Sequence, residues 1–370
     1  MPQAQVHRIP ADGPDDVSGL VALVRSGALD PAHIIAVLGK TEGNGCVNDF
    51  TRGFATATLK ASIAALSGRS ADQVEREVLF VMSGGTEGGL SPHWLVFAAA
   101  PAAAPARPGA TALALGTART RPFGPEEIGR MAQIRATEAA VREAMREAAI
   151  SDPADVHYVQ VKCPLLTRAR IAQAYASGAS VATEETYASM GWSRAASALG
   201  VALALGEVAA DAVADSTVCR DFSVYSRRAS TSAGVELTEN QVLVVGNSAA
   251  WSGDLVIAHD VMADAIDAAA FARALAAAGL APAVPLAPAD QARLVAVLAK
   301  ADAAHSGSIR GARHTMLDDS DIPASRHARA LVGGVLAALA GTTRLFVSGG
   351  AEHQGPDGGG PVAAIVRRRL

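Results

Sequence analysis

The stretch AVLGK (36–40), FTRGFATATL (50–59) and VLFVMSGGTE (78–87) decides the fold, because the chain repeats its pattern twice more. The second version reads VQVK (159–162), GWSRAASALG (191–200) and RASTSAGVE (228–236). The third reads AVLAK (296–300), ASRHARALVG (324–333) and RLFVSGGAE (344–352). Each version carries an apolar strand ending in Lys, an Arg opening a helix, and a Ser in a Ser-small-Gly-x-Glu turn. The lysines are Lys40, Lys162 and Lys300, the arginines Arg52, Arg194 and Arg326, and the serines Ser83, Ser232 and Ser348. Repetition at this period means one supersecondary unit used three times. Three Lys–Arg–Ser sets imply one pseudo-threefold site, suited to a substrate that is itself nearly threefold.

Within each unit the hydrophobic period changes along the chain. HIIAVLG, VHYVQV and LVAVLA are short apolar runs that read as buried strands. FATATLKASIAAL, RAASALGVALALGEVA and RHARALVGGVLAALA are Ala-rich with helical spacing. A second strand leads to the Ser turn in EVLFVM and RLFV, while the polar VYSRRAST before Ser232 obscures its counterpart. A third follows in WLVFAAA (94–100), ENQVLVVGNS (239–248) and PVAAIVRR (361–368). Helices over 125–149 and 260–279 read as insertions in units two and three. The expected fold class is α/β: three similar units around a pseudo-threefold axis, sheets inside and helices outside. The units are expected at 1–103, 111–250 and 256–370, with a Pro/Ala linker at 99–110 and a second soft stretch at 280–289.

Composition sets limits. Half the residues are apolar but aromatics are only 4%, so the core must be built from Ala, Val and Leu. A net charge of −4 without a basic run offers no nucleic-acid footprint, and Arg367 to Arg369 read as a solvated tail. The three cysteines, Cys46, Cys163 and Cys219, lack CxxC spacing, which argues against a disulfide framework or a zinc site. Cys163 follows Lys162 directly, and strand alternation turns it away from that lysine. No long apolar segment or signal-peptide pattern appears, so a soluble cytoplasmic protein with no membrane partner is expected.

The chemistry lies in the repeated stations. Gly39-Lys40-Thr41 imitates a phosphate loop, but position 34 is Ile and the Lys ends a strand, so nucleotide binding is rejected. Gly-rich turns can instead present backbone N–H groups to a developing oxyanion. Lysines drawn into an interior site lose proton affinity through burial and mutual repulsion. A neutral Lys can then deprotonate Ser. Recurring arginines offer forks for carbonyl or imide oxygens. The nine histidines do not recur with the repeat and no G-x-S-x-G elbow is present. On the residues alone, three Lys–Ser pairs are equal candidates. Glu87, Glu236 and Glu352 also recur, as partners for the lysines or arginines or in a structural role.

The chain resembles the cyclic amide hydrolases with three repeats, the family of cyanuric acid hydrolase and barbiturase. The resemblance rests on FVMSGGTEGGLSPH (80–93), VQVKCPLL (159–166), GNSAAWSGDLVIAHDVM (246–262) and the series around VLAKADA, RHARA and FVSGGAEHQGPDGGGP. It implies a homotetramer of three-unit chains that hydrolyses a ring amide: cyanuric acid to carboxybiuret, which loses carbon dioxide to give biuret. The alternative within the family is ring opening of barbituric acid to ureidomalonate, with Ile322 in DSDIPASR (319–326) as the candidate specificity residue. A non-catalytic ligand-binding module would need no Lys–Ser pair. The resemblance makes Ser232 the nucleophile and Lys162 its base. Substrate contacts would come from Lys40, Lys300, Arg52, Arg194, Arg326 and the pairs Ser83-Gly84, Ser232-Ala233 and Ser348-Gly349. It implies no organic cofactor but a structural Mg²⁺ or Ca²⁺ held by Asp302, where the family usually has Glu, and by Ala351, Gln354, Gly355, Pro356 and Gly359.

Overall fold

The structure, a computed structural model, describes residues 1–102, 110–280 and 285–369. Each unit runs strand, helix, strand, helix, strand, strand, with one or more short extra elements. The first comprises β1 (Pro2–Pro10), α1 (Ser18–Arg25), β2 (Ile34–Thr41), α2 (Phe50–Ser67), α3 (Ala71–Glu77), β3 (Leu79–Gly84) and β4 (His93–Pro101). The second comprises β5 (Ala112–Arg119), α4 (Met131–Glu147), β6 (Val156–Cys163), α5 (Arg168–Ala176), α6 (Thr186–Ala204), β7 (Ala229–Ala233) and β8 (Gln241–Ser248). The third comprises β9 (Leu255–Met262), α7 (Ala268–Ala277), α8 (Pro288–Gln291), β10 (Leu294–Ala301), β11 (Ser308–Ile309), β12 (Ala312–Arg313), α9 (Ala324–Ala340), β13 (Phe346–Gly349) and β14 (Gly360–Arg367).

The three four-stranded sheets have one topology: β1-β4-β2-β3, β5-β8-β6-β7 and β9-β14-β10-β13. The last strand of each unit lies antiparallel between the first and second, and the second pairs parallel with the third. Strand alternation sorts the side chains. In β2, Ala36 and Leu38 join a central cluster shared with β6, β8 and β10, while Val37 packs outward with Leu59 and Ile63 of α2. In β10, Ala296 and Leu298 face the same centre, and Val297 packs outward with Val332 and Leu336 of α9. Sheets therefore lie inside and helices outside. Each fully buried Leu or Val contributes about 1.5–3 kcal/mol.

Local signals explain the helix ends. Asp49 caps α2 by accepting from Thr51 N at 3.1 Å, and Gly68 ends it at φ 70°. Gly341 ends α9 at φ 69°. Three expectations need correction. The helices at 125–149 and 260–279 are not insertions: α4 and α7 have a counterpart in α1, which is eight residues long and too short to stand out by period. The opening strands β1, β5 and β9 were missed, and β9 occupies the first residues assigned to the 260–279 helix. The helix of the second unit begins at Thr186, so Arg194 lies in mid-helix and does not open it. Of the expected linker, residues 99–101 belong to β4, and 103–109 lie outside the described residues, as do 281–284 of the second soft stretch. Among the described residues, no helix is long and apolar enough to cross a membrane.

Candidate active site

The parallel pairings build the site. In β2–β3 the register sets Lys40 beside Ser83, in β6–β7 Lys162 beside Ser232, and in β10–β13 Lys300 beside Ser348. Lys40 and Lys300 each sit two residues beyond an inward-facing leucine, Leu38 and Leu298, and all three lysines are fully buried. Each donates to the carbonyl that precedes a neighbouring unit's serine. Lys40 Nζ reaches Val347 O (2.8 Å), Lys162 Nζ reaches Met82 O (2.8 Å), and Lys300 Nζ reaches Thr231 O (2.7 Å). Lys40 and Lys300 also donate to their own serines, at 3.2 and 3.3 Å. Ser232 and Ser348 are hydrogen-bonded to each other, Oγ to Oγ at 2.9 Å.

One small cavity on the axis is lined by Ser83, Ser232, Ser348, the adjoining Gly84, Ala233 and Gly349, and by Arg52, Arg194 and Arg329. Arg329, one helical turn past Arg326, takes the place expected for Arg326. Arg326 is 31% exposed and does not line the cavity; its Nε donates to Glu87 Oε1 at 3.0 Å. Arg329 is 5% exposed and holds Glu87 by two bonds, Nε to Oε2 at 3.0 Å and Nη2 to Oε1 at 2.6 Å. Only the second arginine of RHARA was needed to find it, but the sequence does not say which turn of α9 meets the axis. Ile322 is exposed and lines neither this cavity nor the larger one of about 270 Å³ beyond Arg194.

The turn glycines have a use other than the one expected. The N–H groups of Gly85, Gly234 and Gly350 already donate to Thr41, Cys163 and Ala301 O at 2.9–3.0 Å. At Gly85 (φ 99°) and Gly350 (φ 75°), an added Cβ would come within 2.5 Å of Arg329 Nη2 and Arg194 Nη2. The glycines thus make room for guanidinium groups against the backbone. Cys163 is buried, and its Sγ donates to Ser232 O at 3.6 Å.

Electrostatics differ among the three lysines. Burial, followed by the Arg329 charge, drives Lys40 well below its ordinary value. Burial, with Arg194 next, brings Lys300 down to about 7. Burial also lowers Lys162, and Glu236 pulls the other way. Burial leads for all three, and Lys300 adds a repelling charge at Lys40; at Lys162 the largest influences after burial are Glu236 and Arg52, not another lysine. Burial raises the Glu352 carboxyl, but the Arg194 charge, its two bonds (2.8 and 2.6 Å) and the Lys300 charge together outweigh it and hold it down at about 2.

The residues expected to hold a cation gather beside this centre. Asp302 accepts from Ala303 N (3.0 Å) and Ala351 N (2.9 Å), and burial, then the Glu352 charge, pushes it up to about 6. Ala351 O and Pro356 O each accept one backbone bond, from Gln354 and Gly359. The Gln354 side chain is committed: Oε1 accepts from Thr231 N at 2.7 Å, and Nε2 faces Gly350 O and Glu352 O. Among the described residues no three His, Cys, Asp or Glu cluster as a metal site. Any cation here would rest on one carboxylate and backbone carbonyls, an all-oxygen set that fits a hard ion.

Three Lys–Ser pairs gathered at one cavity, with buried arginines around it, define a hydrolase site on a triplicated α/β fold. The chain matches the amidohydrolase ring-opening protein family over residues 5–367, and it belongs to that family. It is 55% identical to the cyanuric acid amidohydrolase of Azorhizobium caulinodans over 100% of both chains. It is 57% identical to that of Ectopseudomonas oleovorans over 99% of each. The solved cyanuric acid hydrolase from A. caulinodans superposes with a TM-score of 0.92 at 55% identity, covering 100% of both chains. Another solved cyanuric acid hydrolase, described as an evolutionary innovation by structural concatenation, gives 0.95 at 52%, covering 99% of this chain and 100% of that one.

Proposed function

We propose that this protein is a cyanuric acid amidohydrolase in which Ser232 and Lys162 carry the reaction. The observation that supports the assignment best is the parallel register that places a fully buried lysine beside a serine at one threefold cavity. A ring with three equivalent carbonyls meets one unit at each edge, with Arg52, Arg194 and Arg329 donating to its oxygens. Neutral Lys162 takes the Ser232 proton, and Ser232 Oγ bonds to a ring carbonyl carbon as the π pair moves to oxygen. Donors aimed at that oxygen contribute about 3–4 kcal/mol each. Collapse breaks the ring C–N bond, and the nitrogen takes the proton from Lys162. Water then releases carboxybiuret, which loses carbon dioxide to give biuret.

A hard cation held by Asp302 and the carbonyls of the 351–359 turn would add positive charge beside Asp302 and Glu352. Its role is to hold the turn that props Thr231, next to Ser232, through Gln354. The test of the main reading is product release. Cyanuric acid should yield biuret and carbon dioxide with the wild type, and nothing with Ser232→Ala. Turnover near the wild-type rate in that variant removes Ser232 from the role.

A further inference from the structure

The threefold pattern fails at one place, and that place is the middle pair. Each arginine of the cavity reaches toward the turn of another unit. Arg194 grips Glu352 and Arg329 grips Glu87, each through two bonds. By the same rule Arg52 should grip Glu236, and it does not. Its Nη1 donates to Ala233 O (3.1 Å), its Nη2 to Cys46 O (2.6 Å), and its buried Nε has no hydrogen-bond partner. The nearest carboxylate to that Nε is Asp49, at 3.9 Å. Asp49 stands three residues before Arg52, where Arg194 has Gly191 and Arg329 has Arg326. It is held there as the cap of α2 and by Gly45 N at 2.8 Å.

Released from arginine, Glu236 lies 3.2 Å from Lys162 Nζ. Lys40 and Lys300 form no ion pair among the described residues and donate to their own serines instead. Lys162 is therefore the one lysine of the three with a carboxylate at its ammonium. On the reading of Ser232 and Lys162 as the reacting pair, we propose that Glu236 is the positioning residue that completes a Ser232–Lys162–Glu236 triad and makes the middle pair the reactive one. Its carboxylate orients Nζ and stabilises the charge Lys162 gains when it takes the Ser232 proton. Glu236 stays ionised throughout: the proton passes from Oγ to Nζ and then to the departing ring nitrogen. The logic is that of a base oriented by a third group. Lys40 and Lys300, with no carboxylate to orient them, serve as hydrogen-bond donors to their own serines.

The groups that face Lys162 are Glu236, Arg52 and its neighbour Cys163, and Arg170 acts on Glu236 from α5. Of these, Glu236 and Cys163 raise the proton affinity of Lys162 and Arg52 lowers it. Removing the Glu236 charge lets Lys162 lose its proton at lower pH. In Glu236→Gln the acid limb of the pH–kcat profile should move down by about one unit, while the plateau falls about 100-fold and KM stays within about threefold. A general loosening of the site would not move the limb downward. Glu87→Gln, which frees Arg329, should raise KM and leave the limb in place. Glu236→Asp keeps the charge but withdraws it, and should lose about tenfold in kcat with the wild-type limb. A kcat within threefold of wild type in Glu236→Gln, or an unmoved limb, overturns the proposal. If the Gln variant does not fold, wild-type kcat in Glu236→Asp overturns it. Ser232→Ala assayed alongside separates the two readings: turnover there removes the dyad itself, and loss there with a wild-type Glu236→Gln removes only the role of Glu236.

Discussion

At the scale of the residue, exposure separates neighbours that the sequence treats alike. Arg326 and Arg329 lie three apart on α9 and both touch Glu87, yet only Arg329 lines the cavity. Arg329→Ala should therefore reduce kcat/KM by about 100-fold or more, equal to about 3 kcal/mol for a lost charged hydrogen bond. Arg326→Ala should cost about fivefold at most, since a partly exposed pair outside the cavity is worth about 1 kcal/mol or less. Steady-state kinetics of both variants with cyanuric acid check the order, and a reversed order would return Arg326 to the site. The lysines make a second case. Burial, Glu236 and Arg52 are the leading influences on Lys162, so Lys40→Met should leave the acid limb of the pH–kcat profile in place. A shift would restore charge crowding as the cause of Lys162 basicity.

At the scale of the element, the strand before Ser232 shows how polarity hides structure. Every residue of β7 is buried, though three of its five carry hydroxyls. Ser230 Oγ donates to Gln160 Oε1 (2.9 Å) and Thr231 Oγ1 to Arg194 O (3.1 Å), so the strand is satisfied by tertiary partners its sequence does not contain. The serine turns show the reverse: their glycines were legible, but their purpose was not. Gly350→Ala should strain a left-handed residue and push Arg194 off Glu352. The expected result is a loss of about 1–3 kcal/mol in stability together with reduced kcat/KM. Thermal unfolding and steady-state rates check it; unchanged values would mean the turn has room to spare.

At the scale of the whole molecule, the three lysines act as staples. Each crosses from its own unit to a carbonyl beside another unit's serine, closing a ring of contacts around the axis. Lys300→Met leaves Thr231 O without its donor and should cost about 1–3 kcal/mol of stability. Urea unfolding measures that loss. The cation offers a separate test. If a hard ion sits at Asp302, a chelator should lower the unfolding midpoint, and Mg²⁺ or Ca²⁺ should restore it. An unchanged midpoint in chelator would remove the ion from the account.

The sequence alone determined the threefold repeat, the alternation of strands and helices, and the lysines and serines of the site. These follow from short-range periodicity and from residue types that recur at matching stations. It also determined the family, since the motif series spans the chain. Tertiary structure decided the rest. It chose Arg329 over Arg326, because which helical turn meets the axis depends on how α9 packs. It placed Ile322 on the surface. It broke the symmetry at Glu236, because the Arg52 guanidinium bonds Ala233 O and Cys46 O instead and leaves a carboxylate to Lys162. Repetition makes three sites alike in sequence; which arginine meets which glutamate is decided by contacts between units, across more than a hundred positions, and where such a contact is not made the glutamate is left to its own unit's lysine.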